Sequence, residues 1–89
     1  MLTPIYRKSF EKDIKRVKKR GKNMEKLKTV IYILLEKKSL PIRCHDHTLS
    51  GNYNDHRECH IEPDWLLIYK ITESSLILER TGSHSDLFK

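Results

Sequence analysis

Arg57-Glu58-Cys59-His60-Ile61-Glu62-Pro63-Asp64-Trp65-Leu66-Leu67-Ile68-Tyr69 places a stretch of alternating character directly before a continuously apolar one. The link between them, Glu62-Pro63-Asp64, is too short for a crossover, so two strands here must run antiparallel. Five apolar residues in a row, Trp65 to Tyr69, predict a central strand covered on both faces. A second short link, Thr72-Glu73-Ser74, repeats the constraint. Asp55 to Ile61, Trp65 to Ile71 and Ser75 to Thr81 are therefore expected to form an antiparallel meander.

Upstream of the meander the periodicity changes. Leu2 to Tyr6 fits a first strand that Pro4 restricts to an edge or an early position. From Ser9, read as an N-cap, Phe10, Ile14 and Val17 recur at helical spacing, with Glu11 and Asp13 near the start and Lys18-Lys19-Arg20 at the end, in accord with the helix dipole. Gly21 is the expected stop. Asn23 is expected to cap a second helix whose stripe, Met24, Leu27, Ile31, Leu34 and Leu35, runs to about Lys38 before Pro41 forbids continuation. The two helices make a hairpin across Gly21-Lys22-Asn23. Residues 39–53 are polar and read as a long loop, and long ordered loops tend to be functional. The expectation is one α+β domain over residues 1–89: an N-terminal strand, a helical hairpin, then the antiparallel meander, with the helices packed on one face of the sheet. The other face is left for a partner.

The chain has 89 residues and a formal charge of +6, distributed unevenly. Residues 1–38 carry 13 Lys/Arg against 4 Asp/Glu, whereas residues 39–89 carry 5 against 8 together with all five histidines. The first half is suited to a polyanion, with Lys15, Arg16, Lys18, Lys19, Arg20 and Lys22 as the candidate RNA-contacting group, although a lysine run is most simply a solvated helix face. No stretch approaches the roughly 18 apolar residues of a membrane span. The N-terminus lacks the pattern of an export signal, which leaves the cytoplasm as the expected location. Two cysteines, Cys44 and Cys59, are too few for a disulfide scaffold.

Alternation along a strand puts His56, Glu58, His60 and Glu62 on one face and Arg57, Cys59 and Ile61 on the other. Ile61 and Cys59 suit the helix-facing core, so Glu58 and His60 are expected on the open face. Asp64 sits at the following turn, His47 arrives from the loop, and Arg80 and His84 come from the last strand and beyond it. Three histidines, two carboxylates and an arginine would then converge. Such a set suits RNA cleavage without metal: one group takes the 2′-hydroxyl proton, another protonates the departing 5′-oxygen, and a cation offsets the phosphorane charge. Trp65 or Phe88 can stack on a base, though Trp65 opens an apolar strand and its burial tendency favours the core. Arg80 has a plainer reading as the ion-pair partner of Glu79. Cys44-His45-Asp46-His47 and Glu58-Cys59-His60 contain ligand types for zinc, but Cys59 and His60 are adjacent on a strand and point opposite ways, so no metal is expected. Nothing marks Cys44 as an activated nucleophile.

Three blocks then carry a resemblance: Asp46-His47-Thr48-Leu49-Ser50-Gly51, the stretch Arg57 to Tyr69, and Glu79-Arg80-Thr81-Gly82-Ser83-His84-Ser85-Asp86-Leu87-Phe88. In order and spacing they closely resemble the YafQ branch of the RelE-type toxins of bacterial toxin–antitoxin modules, and the resemblance covers nearly the whole chain. It implies a ribosome-dependent endoribonuclease that cuts translated mRNA in the A site against 16S rRNA, uses neither metal nor other cofactor, and is neutralised by a DinJ-like antitoxin. By position, His47, His60, Asp64 and His84 match the catalytic set, Arg80 the phosphate-stabilising arginine, and Trp65 and Phe88 supporting aromatics. Glu58 stands where the family usually has aspartate. His45 and His56 match no catalytic position. The resemblance does not assign general base and general acid among these four; the reading favoured here is His84 or His60 as base and Asp64 or His47 as acid. Two other functions compete: a nucleic-acid-binding adaptor without chemistry, and a ParE-like gyrase inhibitor of the same fold, against which the four catalytic positions argue.

Overall fold

β4 (Trp65–Ile71) runs antiparallel to β3 (Arg57–Glu62) on one side and to β5 (Ser75–Gly82) on the other in the computed structural model, which describes residues 1–88. The meander is therefore as the short links require. β1 (Thr3–Tyr6) adds parallel to the outer side of β5, and β2 (His47–Thr48) adds antiparallel to β3, giving the order β1-β5-β4-β3-β2. Pro4 thus lies on an edge strand, where its missing N–H is tolerated.

Helices α1 (Lys8–Lys19) and α2 (Met24–Leu35) cover one face of this sheet. Trp65, Leu67 and Tyr69 point into that layer and pack with Phe10, Val17, Leu27 and Leu34, while Leu66 and Ile68 point the other way and pack with Leu87. Burying each such side chain contributes roughly 1.5–3 kcal/mol, so β4 is the part of the chain that cannot be moved without losing both layers. The second face is not wholly open, as the sequence reading had it. Leu49, Tyr53 and Leu87 cover its centre.

Several local readings change. Ser9 does not cap α1; the N-cap position is Arg7, and the Ser9 hydroxyl donates to the Glu79 carbonyl at 2.9 Å, tying the helix to β5. Asp13 is no first-turn dipole residue but a buried carboxylate, 3% exposed. Gly21, at φ +77°, ends the first helix, and Asn23 accepts from the Glu25 N–H at 3.0 Å, both as expected. α2 stops at Leu35, short of Lys38, because Lys37 takes a left-handed conformation at φ +60° and the Lys38 N–H returns to the Ile33 carbonyl. The long loop contains β2 and two 3₁₀ turns, Ile42–Cys44 and Gly51–Tyr53. A two-residue strand has no periodicity to read.

The last element, α3 (His84–Leu87), was not anticipated from periodicity for the same reason, but its capping signal was present. Ser83 and Asp86 form a reciprocal capping box, each side chain accepting from the other's backbone N–H.

Where β4 meets β5, the buried Trp65 indole donates to the Thr81 hydroxyl at 2.9 Å, and that hydroxyl donates to the Leu66 carbonyl at 2.6 Å. Removing the hydroxyl strands a donor that has no access to water. Thr81→Val, which keeps the shape, should lower unfolding free energy by about 1–3 kcal/mol in urea melts. A change below a few tenths would mean that the indole finds another acceptor.

Candidate active site

β2 and β3 bring the first histidine to the site. Their register sets His47 opposite Glu58, and Glu58 in turn opposite Ile68, with Arg80 completing the row across β5. Glu58 is 5% exposed, and its Oε1 lies 3.4 Å from His47 Nε2 and 3.7 Å from His60 Nε2. A proton on either ring therefore faces a carboxylate. His60 is the hub: its ring centroid is 5.6 Å from that of His45, 6.5 Å from that of His47 and 5.8 Å from that of His84.

The fourth imidazole comes from the start of α3. Asp64, in the β3–β4 turn, accepts from both the backbone N–H of His84 at 2.9 Å and its Nδ1–H at 2.6 Å. These bonds, the backbone one first, hold the Asp64 carboxyl below the ordinary carboxylate range. With Nδ1 protonated and turned to Asp64, His84 Nε2 is the nitrogen left to exchange protons. His47 is oriented in the same manner, its Nδ1 donating to the His45 carbonyl at 2.6 Å, so that Nε2 faces Glu58. His60 Nδ1 faces the Pro63 carbonyl at 3.3 Å.

Three further carboxylates, Asp13, Asp46 and Asp86, set this geometry, a role that residue type and spacing do not assign to them. Asp46 accepts from the Tyr69 hydroxyl and from Arg57, anchoring the loop between His45 and His47. Burial, reinforced by Asp46, pushes the Tyr69 hydroxyl well above its usual range. Asp86 takes a bidentate pair from Arg20 at 2.6 and 2.9 Å, which drives its own carboxyl far below the ordinary range and fixes the helical turn that carries His84. Asp13 accepts from the Thr81 N–H, from Arg16 at 2.6 Å and from Arg80 at 2.6 and 3.1 Å. β1 pairs with β5 only as far as Leu78, so Asp13 satisfies a backbone donor on an edge that β1 does not reach. The capping pattern with Ser83 was a signal for Asp86, whereas Asp46, flanked by two histidines, carried none.

The predicted site residues accordingly separate into groups. His47, Glu58, His60, Asp64 and His84 come together. Arg80 shares their face but lies across Ile68, about 10 Å from Glu58 at two strand spacings, and its Nε and Nη2 are bound to Asp13 rather than to Glu79. Phe88 is 43% exposed and meets Tyr53 edge-on. Trp65, by contrast, is 1% exposed in the helix-side core, where its indole cannot stack on a base. His56 pairs with Glu79 at 3.1 Å, outside the cluster. His45, set aside on sequence, lies against His60 within it.

The basic group also divides. Arg16 and Arg20 are bound to Asp13 and Asp86, and Lys22 joins Lys26 on Glu62, each at 2.8 Å, holding that carboxyl below its usual range. Lys15, Lys18 and Lys19 are exposed and make no ion pair among the described residues. Cys59 is fully buried with its thiol pushed up by desolvation, and Cys44 is buried too, which removes both as nucleophiles. Among the described residues no three His, Cys, Asp or Glu side chains are arranged to hold a metal ion.

A mixed sheet backed by a helical hairpin, with a histidine–carboxylate cluster at one end of its exposed face, defines a small RelE-like α+β toxin domain. Over residues 2–89 the sequence matches the family described as bacterial toxin of type II toxin-antitoxin system, YafQ, and the chain belongs to that family. It is 44% identical to the mRNA interferase toxin YafQ of Escherichia coli K12 over 84 residues, which span 93% of this chain and 91% of the relative. The toxin in the E. coli DinJ–YafQ complex superposes with a TM-score of 0.92 at 41% identity, over the whole of both chains. A copper-bound mutant toxin from Helicobacter pylori superposes with a TM-score of 0.94 at 42% identity, covering 99% of this chain and all of that one. This protein is a type II toxin–antitoxin toxin.

Asp64 and His84 make a direct test of the site. Because the folded pKa of Asp64 is depressed, the stability its ionised form contributes is present above the ordinary carboxylate range and disappears as pH falls through the lowered value. In a carboxyl ¹³C NMR titration, His84→Ala should move the Asp64 midpoint only part of the way back, since the backbone N–H remains. A midpoint unchanged by the substitution would show that the imidazole makes no bond.

Proposed function

We propose that this toxin is an endoribonuclease that cuts mRNA in the ribosomal A site by metal-independent acid–base catalysis, with His47, His60, Asp64 and His84 as the catalytic set. The observation that carries this reading is the Asp64–His84 pair facing His60, with Glu58 bridging the Nε2 atoms of His60 and His47. His84 Nε2 accepts the proton of the ribose 2′-hydroxyl. The 2′-oxygen attacks phosphorus, a 2′,3′-cyclic phosphate forms, and the 5′-oxygen leaves with a proton from His47 or His60. Asp64, ionised, orients His84 rather than acting as the acid; its lowered pKa supports that role. Arg80, held charged by Asp13 with its pKa raised, supplies the positive charge for the phosphate, and Glu58 orients the rings of His47 and His60.

Phe88 supplies an exposed ring for a base, and Trp65 supports the site from beneath by fixing β4 against Thr81. The site is open, so the ribosome provides the enclosure, presents the mRNA and confines the activity to the cytoplasm. Lys15, Lys18 and Lys19 dock on rRNA; Arg16, Arg20 and Lys22 serve chiefly to hold the fold. The neutralising partner is a DinJ-like antitoxin, by likeness to the E. coli complex. The cluster of histidines disfavours a gyrase-binding or purely adaptor role, which would require no proton transfer.

Purified toxin added to translating ribosomes and an mRNA, with EDTA present, should leave 2′,3′-cyclic or 3′-phosphate and 5′-hydroxyl ends. Cutting that chelation abolishes would overturn the metal-independent mechanism. His84→Ala should lower the cleavage rate by about 10²–10⁴-fold with ribosome binding retained.

Charge neutralisation separates the two basic groups. Replacing Lys15, Lys18 and Lys19 together should weaken ribosome association and reduce its log–log salt slope by about 0.7–0.9 per lysine, with the melting temperature little changed. Arg20→Ala should instead lower the melting temperature. Equal behaviour of the two variants would contradict the division.

A further inference from the structure

We propose that Arg43 and His45 form a second nucleotide subsite, which binds the RNA nucleotide next to the scissile phosphate through its phosphate and its base. The inference rests on RNA cleavage at the neighbouring histidines. Beside the catalytic cluster lies a cleft of about 440 Å³, lined by Arg43, His45, His60, Ile61, Glu62 and Pro63. His60 is the wall the two sites share.

The backbone presents His45 to this cleft and leaves it no alternative. Cys44 before it is buried, and Asp46 after it is bound by Tyr69 and Arg57. Between these anchors His45 adopts a left-handed conformation, φ +47° and ψ +45°, uncommon for a residue with a side chain. Its N–H donates to the Ile42 carbonyl and its own carbonyl accepts from His47 Nδ1. Its ring makes no hydrogen bond among the described residues and stands edge-on to His60. An exposed aromatic ring, strained into place beside a catalytic imidazole, has the properties of a base-stacking platform.

Arg43 adds the anion-binding half. It is exposed and, among the described residues, forms no ion pair, while the one carboxylate of the cleft, Glu62, is neutralised by Lys22 and Lys26. A phosphate entering there meets an unopposed guanidinium. The cleft is of the size that holds one nucleotide, and His60, which lines it, stands 5.8 Å ring to ring from His84.

The test is a titration of the full chain, labelled with ¹⁵N, with an RNA trinucleotide carrying 2′-O-methyl groups so that it binds without being cut. Arg43→Ala and His45→Ala should each weaken binding by about fivefold to tenfold, whereas His45→Phe, which keeps the ring, should stay within about twofold. Lys12→Ala, a charge-matched control on the far helix, should also stay within about twofold. Unchanged affinity for both alanine variants overturns the subsite, as does a Lys12→Ala loss equal to that of Arg43→Ala, which would mean attraction by net charge. A His45→Phe loss equal to that of His45→Ala overturns the stacking contact. Cleavage of ribosome-bound mRNA by the same wild-type preparation is measured alongside: if that fails, the nuclease reading fails, whereas active wild type with unaltered variant affinities removes the subsite alone.

Discussion

Five consecutive side chains of β4, Trp65 to Tyr69, are buried, and they alternate between two layers of core. That constraint organises the molecule. The helices must take the Trp65–Leu67–Tyr69 side, where the larger apolar surface lies, and only a short C-terminal turn and the loop residues Leu49 and Tyr53 remain for the Leu66–Ile68 side. A thin second layer cannot cover a whole sheet face. The uncovered remainder, at the β2–β3 end, is where the histidines collect. Hydrophobic burial thus determines the place of the site without contributing any of its chemistry.

Precision comes from carboxylates instead. Asp13, Asp46 and Asp86 each receive two or more donors from distant parts of the chain, and each lies one step behind a candidate site residue: Arg80, His47 and His84 respectively. Charge-assisted bonds of this kind are directional, so they hold side chains within narrower limits than apolar contacts do. The basic first half of the chain therefore has two uses. Some of its cations complete these networks, and the rest remain available to an anionic surface. A net charge does not distinguish the two populations.

The same economy explains how 89 residues can carry a nuclease site. A domain this small cannot enclose its substrate, and exposed histidines gain little from a low local dielectric. Pairing takes the place of burial. Asp64 fixes the tautomer of His84, the His45 carbonyl fixes that of His47, and Glu58 lies buried between two rings. Each ring is thereby oriented by a hydrogen bond on a face that stays open.

Much of this was legible in the sequence because it depends on neighbours along the chain. Short links require antiparallel strands, helical spacing reveals α1 and α2, and alternation puts Glu58 and His60 opposite Cys59 and Ile61; these follow from local stereochemistry. The three blocks shared with the YafQ family extended the reading to the function. What the sequence did not contain was partnership across the fold. Asp13 beside lysines looked like a dipole residue, Ser9 like a cap, Arg20 like a free cation and His45 like a bystander, because their partners stand far away in the chain: Arg80, Glu79, Asp86 and His60. Residue type and spacing determined which elements would form and which chemistry was at hand. Only the tertiary structure decided which charges cancel and which remain exposed, since a Coulombic or hydrogen-bonded pair depends on separation in space, and that separation exists only once β4 has drawn both layers around itself.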